Sequence, residues 1–179
     1  VRLMKKEDIY FESRDGISKL HAIIWRDETK SPVGILQIIH GMAEYIDRYD
    51  DFARFMAQKG FVVVGDDHLG HGDSVGENGT FGYFCKKDPA TVLVRDEHRL
   101  KKIMEGKYPG VPYYILGHSM GSFIARNYLC KYGSGIQGII VMGTGNQSKG
   151  LLRMSKIIAG FTGFFCGEKH VAKTINGLA

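Results

Sequence analysis

Cysteine is too scarce and too scattered to staple this chain. Only Cys85, Cys130 and Cys166 occur, an odd number with no C-x-x-C spacing. That excludes a disulfide framework and a cysteine-based metal site, and the reading is of reduced thiols in a cytosolic protein. No apolar run is long enough to cross a bilayer. The longest, Ile157 to Cys166, contains Gly160 and Gly163 and falls well short of the roughly 20 residues a span requires. A signal-peptide pattern is also missing, since residues Arg2 to Asp8 are polar and charged. The chain opens on Val1 instead of Met, so the expectation is that something was removed or never included. Charge of one sign is short too: the net charge is +5, of which +4 falls from Lys149 onward and only +1 on the first 148 residues. A near-neutral body gives no electrostatic footprint for nucleic acid, which is excluded as a partner. There is no repeat and no low-complexity segment. With 44% apolar and 24% charged residues, the 179-residue chain has the balance of one folded domain.

What is present alternates. Ile9 to Arg14 and Leu20 to Arg26 are predicted as two strands joined by the hairpin turn Asp15-Gly16. Gly34 to Ile39, Phe61 to Val64, Tyr113 to Leu116 and Ile139 to Met142 are short, almost continuous apolar runs, the pattern of strands buried on both faces. Between them lie helical patterns. Tyr49, Phe52, Ala53 and Met56 share a stripe closed by Gly60; Val92 to Met104 forms a second helix; Ser119 to Tyr132 forms a third, followed by Gly133. A hairpin followed by alternating strand and helix predicts an α/β fold, a mostly parallel sheet with helices on both faces. The composition shifts at Asn146 to Gly150, which divides a core over residues 1–148 from a basic, apolar segment over 149–179.

Gly117-His118-Ser119-Met120-Gly121 matches G-x-S-x-G directly after a predicted strand and directly before a predicted helix. A sharp strand-to-helix turn strains the serine backbone and projects its hydroxyl, while Gly117 and Gly121 remove side chains that would collide. The helix start behind it presents N–H groups and a positive dipole end to a developing oxyanion. A phosphate-binding loop is excluded, because the Gly-Lys-Ser/Thr it needs is missing. His40-Gly41-Met42 follows the third strand, where such folds supply the second oxyanion donor. The expected donors are therefore the amides of Met42 and Met120, with Ser119 as nucleophile, Gly41 giving the substrate oxygen close access to the backbone, and His118 packing behind the turn.

Three segments in order, His40 to Tyr49 (HGMAEYIDRY), Asp67 to Ser74 (DHLGHGDS) and Gly117 to Ser122 (GHSMGS), resemble the monoacylglycerol lipase and lysophospholipase group of α/β hydrolases, which is also grouped with serine aminopeptidases. The resemblance spans about residues 8–150. It implies the α/β-hydrolase fold, an acyl-enzyme on Ser119, a small-molecule acyl ester as substrate and no cofactor. The family usually has Pro where Asp66 stands and Arg where Leu69 stands. Its triad runs Ser, Asp, His, with the last two beyond a helical cap, so they are expected outside this chain. Only Glu168 and His170 offer an acid and a histidine among cap-like residues after Ser119. Without a full triad the 179-residue piece is expected to be inactive or nearly so.

Other features have plainer readings. His68 and His71 beside Asp67 and Asp73 suggest a metal, but a glycine loop does not set residues three apart on one face, and no metal is expected. His98 is expected on a solvated helix face. Ile139 to Met142 lacks a later strand to pair with and would be an open edge. Leu151, Met154, Ile158, Phe161 and Phe165 repeat at helical spacing with Lys149, Arg153 and Lys156 off the stripe. They read as the start of a cap helix over an acyl pocket, or else as an interfacial helix in weak contact with anionic lipid, peripheral at a membrane. The alternatives to an ester hydrolase are aminopeptidase-like or acyltransferase chemistry on the same scaffold, and a non-catalytic hydrolase-fold binding protein. Acyl length, head group and oligomeric state are not encoded legibly.

Overall fold

The structure, a computed structural model, describes residues 4–77 and 79–167. Its strands are β1 (Met4–Glu12), β2 (Lys19–Asp27), β3 (Gly34–Ile39), β4 (Phe61–Asp66), β5 (Tyr113–His118) and β6 (Ile136–Met142). Its α-helices are α1 (Asp50–Gln58), α2 (Pro89–Lys107), α3 (Met120–Tyr132) and α4 (Lys149–Cys166). Six strands form one sheet in the order β1-β2-β4-β3-β5-β6. β1 pairs antiparallel with β2 and β2 antiparallel with β4, while β4, β3, β5 and β6 are parallel.

Alternation along each strand sorts the side chains into two cores. On one face Leu20, Ala22 and Ile24 of β2, Ile35 and Ile39 of β3, and Tyr113 and Ile115 of β5 pack against Val92 and Leu100 of α2 and Ile124 and Tyr128 of α3. On the other, Ile23 and Trp25 of β2, Leu36 and Ile38 of β3, Val63 of β4 and Leu116 of β5 pack against Ala53 and Ala57 of α1. Every residue of β3 is buried, as expected of a central strand with helices on both faces.

The boundaries differ from expectation where polar chemistry overrides the apolar pattern. β1 starts at Met4, through a charged stretch that periodicity does not mark, because it is an outer strand with one face in solvent. It ends at Glu12, short of the predicted Arg14. The turn that follows is built by Asp15, whose Oδ1 accepts from the N–H groups of Ile17 (2.9 Å) and Ser18 (2.8 Å), with Gly16 at φ 86°. β6 is the other outer strand, and Ile140, Val141 and Met142 are exposed on it.

The chain divides into two compact units, Val1–Thr144 and Gly145–Ala179. In the second, Ser148 caps α4 by accepting from the Leu151 N–H at 3.3 Å. Among the described residues no helix is long and apolar enough to cross a membrane.

One buried ion pair ties the hairpin to the sheet. His21 on β2 is 3% exposed, with Nδ1 2.8 Å from Asp67 Oδ2 and Nε2 2.8 Å from Asp8 Oδ1. The bond to Asp67 raises its pKa, burial opposes, and Asp8 raises it further, to about 9. The folded value lies above the unfolded value of about 6.5. The stabilisation is therefore fully present below pH 6.5 and lost as pH rises through 9, about 3 kcal/mol in all. Chemical denaturation between pH 6 and 10 should show this decline in the native sequence and a flatter curve in His21→Gln; an unchanged slope in the variant would refute the assignment.

Candidate active site

β5 runs straight into α3 with one residue at the corner. That residue, Ser119, has φ 52° and ψ −118°, a conformation that costs a non-glycine residue about 1–3 kcal/mol. Its surroundings hold it there. The Ser119 N–H donates to Met142 O of β6 at 2.9 Å, and the Ser122 N–H and hydroxyl donate to Ser119 O at 2.9 and 2.5 Å. The corner is tight: a Cβ on Gly121 would lie 2.0 Å from Ile39 O and 2.6 Å from His40 O, and one on Gly117 would lie 2.5 Å from Gly121 O. Glycine at 121 is thus what lets α3 begin against the end of β3. Ser119 itself is half-buried, and Met120 is the first residue of α3, whose amide has no carbonyl within the helix to bond.

The loop after β3 comes to the same place. A Cβ on Gly41 would be 3.0 Å from Ser119 Cβ and 3.0 Å from Glu44 Oε2. Glu44, 8% exposed, braces this loop: Oε2 accepts from the Gly41 N–H at 2.7 Å and from the Tyr49 hydroxyl at 2.9 Å, and lies 3.1 Å from His118 Nδ1, while Oε1 accepts from Arg48 Nη1 at 2.8 Å. Burial works to raise the Glu44 carboxyl, but Gly41, His118 and Tyr49 together hold it below the usual carboxylate range. One ionised carboxylate therefore links the loop after β3 to the residue preceding Ser119. Ala43, at φ 57°, donates its N–H to His71 Nε2 at 3.1 Å, and His71 Nδ1 lies 3.0 Å from Leu69 O. This pairing suits a neutral His71 that donates from Nδ1 and accepts at Nε2; burial first, then the charge of His68, lowers its pKa.

The structure thus brings Ser119, Met120, Gly41, Met42, Gly117, Gly121 and His118 to one corner. Met42 is exposed there. His68 and His71 do not converge: their rings meet edge-on at 6.2 Å and their nitrogens serve different partners. His98 corrects the expectation of a solvated face. Its ring stacks on Tyr132 at 3.9 Å and its Nδ1 lies 3.0 Å from Tyr128 Oη, because two tyrosines one turn apart on α3 meet α2 at this point. Glu168 and His170 lie outside the described residues. Sequence reasoning missed Glu44 and Tyr49 as braces, although both stand in the HGMAEYIDRY segment. Nothing in the local pattern says that their side chains turn back toward Gly41.

A mostly parallel sheet flanked by helices, with a strained serine between a strand and the helix after it, defines the α/β-hydrolase fold. The chain belongs to the serine aminopeptidase, S33 family, which matches residues 30–177. It is 31% identical over 142 residues to the monoglyceride lipase homolog of monkeypox virus, covering 79% of this chain and 49% of that protein. It is 37% identical over 97 residues to human monoglyceride lipase, covering 54% and 30%. A thermostable carboxyl esterase from Bacillus coagulans, crystallised with glycerol, superposes with a TM-score of 0.78 at 34% identity, covering 93% of this chain and 56% of that one. The chain spans about half or less of the length of these curated relatives.

The corner makes a stability prediction. Gly121→Ala should destabilise by about 3 kcal/mol or more, since its methyl would meet backbone oxygen that cannot swing away. Gly106→Ala, on α2 with open space at its Cβ, should instead stabilise by about 0.5–1 kcal/mol. Paired urea titrations check both signs.

Proposed function

We propose that the whole protein is a serine hydrolase of carboxylic esters, acting through an acyl-enzyme on Ser119. The observation that supports this reading is the positive φ of Ser119 with Gly41 close to its Cβ; the amides of Met42 and Met120 adjoin these two residues and are the proposed oxyanion donors. Ser119 Oγ attacks the ester carbonyl and gives its proton to a histidine. The two amides hold the oxyanion, each worth about 3 kcal/mol in the transition state. Collapse expels the alcohol, which takes the proton back from the histidine, and water then releases the acid by the same steps in reverse. Among the described residues no imidazole is hydrogen-bonded to the Ser119 hydroxyl, so this reading takes the base and its acid partner from outside them.

Monoacylglycerol-type esters are the favoured substrates. Support comes from the names of the viral and human relatives and from α4, whose Leu151, Met154, Ile158, Phe161 and Phe165 are exposed apolar surface suited to an acyl chain or to a weak lipid contact. The unpaired thiols of Cys85 and Cys130 fit a cytoplasmic setting. The serine aminopeptidase family to which the chain belongs favours one second reading, amide cleavage of a peptide amino terminus.

Treatment of the whole protein with a fluorophosphonate should label it stoichiometrically, and Ser119→Ala should abolish labelling and lower turnover by about 10⁴-fold or more. Equal labelling of the alanine variant would remove the assignment. A panel of p-nitrophenyl esters and aminoacyl anilides should favour medium or long acyl esters; preference for anilides would establish the peptidase reading instead. Glu44→Ala should lower kcat/KM by about 10–100-fold, the scale expected when the groups orienting a site are removed, without abolishing labelling.

A further inference from the structure

Behind the loop after β3 lies a second cluster, which ester hydrolysis does not use. Asp66 ends β4, His68 follows two residues later, and Glu97 sits in the middle of α2; each is 1% exposed. His68 Nδ1 is 3.3 Å from Glu97 Oε1 and 3.7 Å from Asp66 Oδ2, and one ligand atom from each residue can be chosen so that all lie within 4.8 Å of one another. Among the described residues, neither oxygen of Asp66 nor Oε1 of Glu97 has a hydrogen-bond partner, and no lysine or arginine pairs with either carboxylate. Two carboxylates buried against one imidazole leave negative charge uncompensated even when that imidazole is protonated; this is expensive, and a structure keeps such a set when something neutralises it.

The geometry points to a divalent transition-metal ion of the zinc type, bound by Asp66, His68 and Glu97 and pinning α2 to the end of β4. A cation about 2.1 Å from each of three tetrahedrally arranged ligands sets them about 3.4 Å apart, close to the two separations from His68 Nδ1. The surrounding bonds have the form such sites take. His68 Nε2 lies 3.1 Å from His40 O, so the Nε2–H donates to a backbone carbonyl and Nδ1 faces the acids, where a bound metal would replace its proton. Gln37 Nε2 donates to Glu97 Oε2 at 2.5 Å and to Glu97 O at 3.2 Å, and the Tyr113 hydroxyl in turn donates to Gln37 Oε1. Every ligand but Asp66 is thus oriented by a partner of its own. A dication balances the two carboxylates with a neutral imidazole. The completing ligand, Glu97, comes from α2, an element separate from the loop that carries His68 and His71.

The test uses the whole protein, stripped with a chelator in mild denaturant, refolded with or without Zn²⁺, and passed through a desalting column. The expected result is about one equivalent of zinc retained and a higher melting temperature. Co²⁺ in its place should give visible absorption bands of a four- or five-coordinate ion. Asp66→Asn and Glu97→Gln, which keep shape while removing charge, should each weaken retention at least about 100-fold, and His71→Gln should not. Retention below about 0.1 equivalent by the native sequence, or equal retention by Glu97→Gln, overturns the proposal. If native protein holds no metal and Asp66→Asn melts higher than it does, the occupant is a proton shared between the two carboxyls. Should both variants fail to fold, the native zinc content and the cobalt spectrum decide alone.

Discussion

The close approach of α3 to the end of β3 is the constraint on which the molecule is arranged. With no side chain at Gly121, the first turn of α3 lies against the carbonyls of Ile39 and His40, and Ser119 must then turn through a positive φ to connect β5 with it. That one contact places the serine beside Gly41 and sets the first amide of α3 free of any intrahelical bond. The strain at Ser119 is held by bonds on both sides of the corner, from β6 through Met142 and from α3 through Ser122. A looser sheet could not impose it.

Much of this was legible because the central strands carry almost unbroken apolar runs. The predicted bounds of β3 match the observed ones, and those of β4 and β5 fall short only of their last two residues. Those residues are Gly65 and Asp66 in β4 and Gly117 and His118 in β5, where the sequence turns polar or small because the site begins. The outer strands were harder. β1 has charges on its solvent face, and β6 opens with Ile136-Gln137-Gly138, which breaks the apolar pattern. In the site, motif and context found Ser119 and the glycines because backbone geometry requires those residue types. Glu44, Tyr49 and Glu97 have no such requirement. Their importance comes from where long side chains end, and that depends on elements far apart in sequence. The surroundings of His98 are hidden from the sequence for the same reason, since they are set by Tyr128 and Tyr132 on another helix.

Several buried polar groups gather where β3 and β4 end. His21, Asp67, His40, His68, His71 and Glu44 are all buried there. Burial, reinforced by the charge of His68, takes His40 down to about 3, so its ring is neutral at any ordinary pH and can accept the His68 N–H at 3.2 Å. His21 is held charged by two aspartates a short distance away. Residues of the same type are thus kept in opposite protonation states by whether bonded carboxylates outweigh the cost of burial.

The three chain segments that meet at Ser119 come from residues 39–41, 117–122 and 142, with β3 pairing to β5 and β5 to β6. During synthesis the β1–β2 hairpin can zip from neighbouring residues, but the corner cannot close until Met142 has cleared the ribosome, and its loop-closure entropy spans about eighty residues of chain. Ser119, with its strained backbone, therefore belongs to a corner that is completed only late in synthesis.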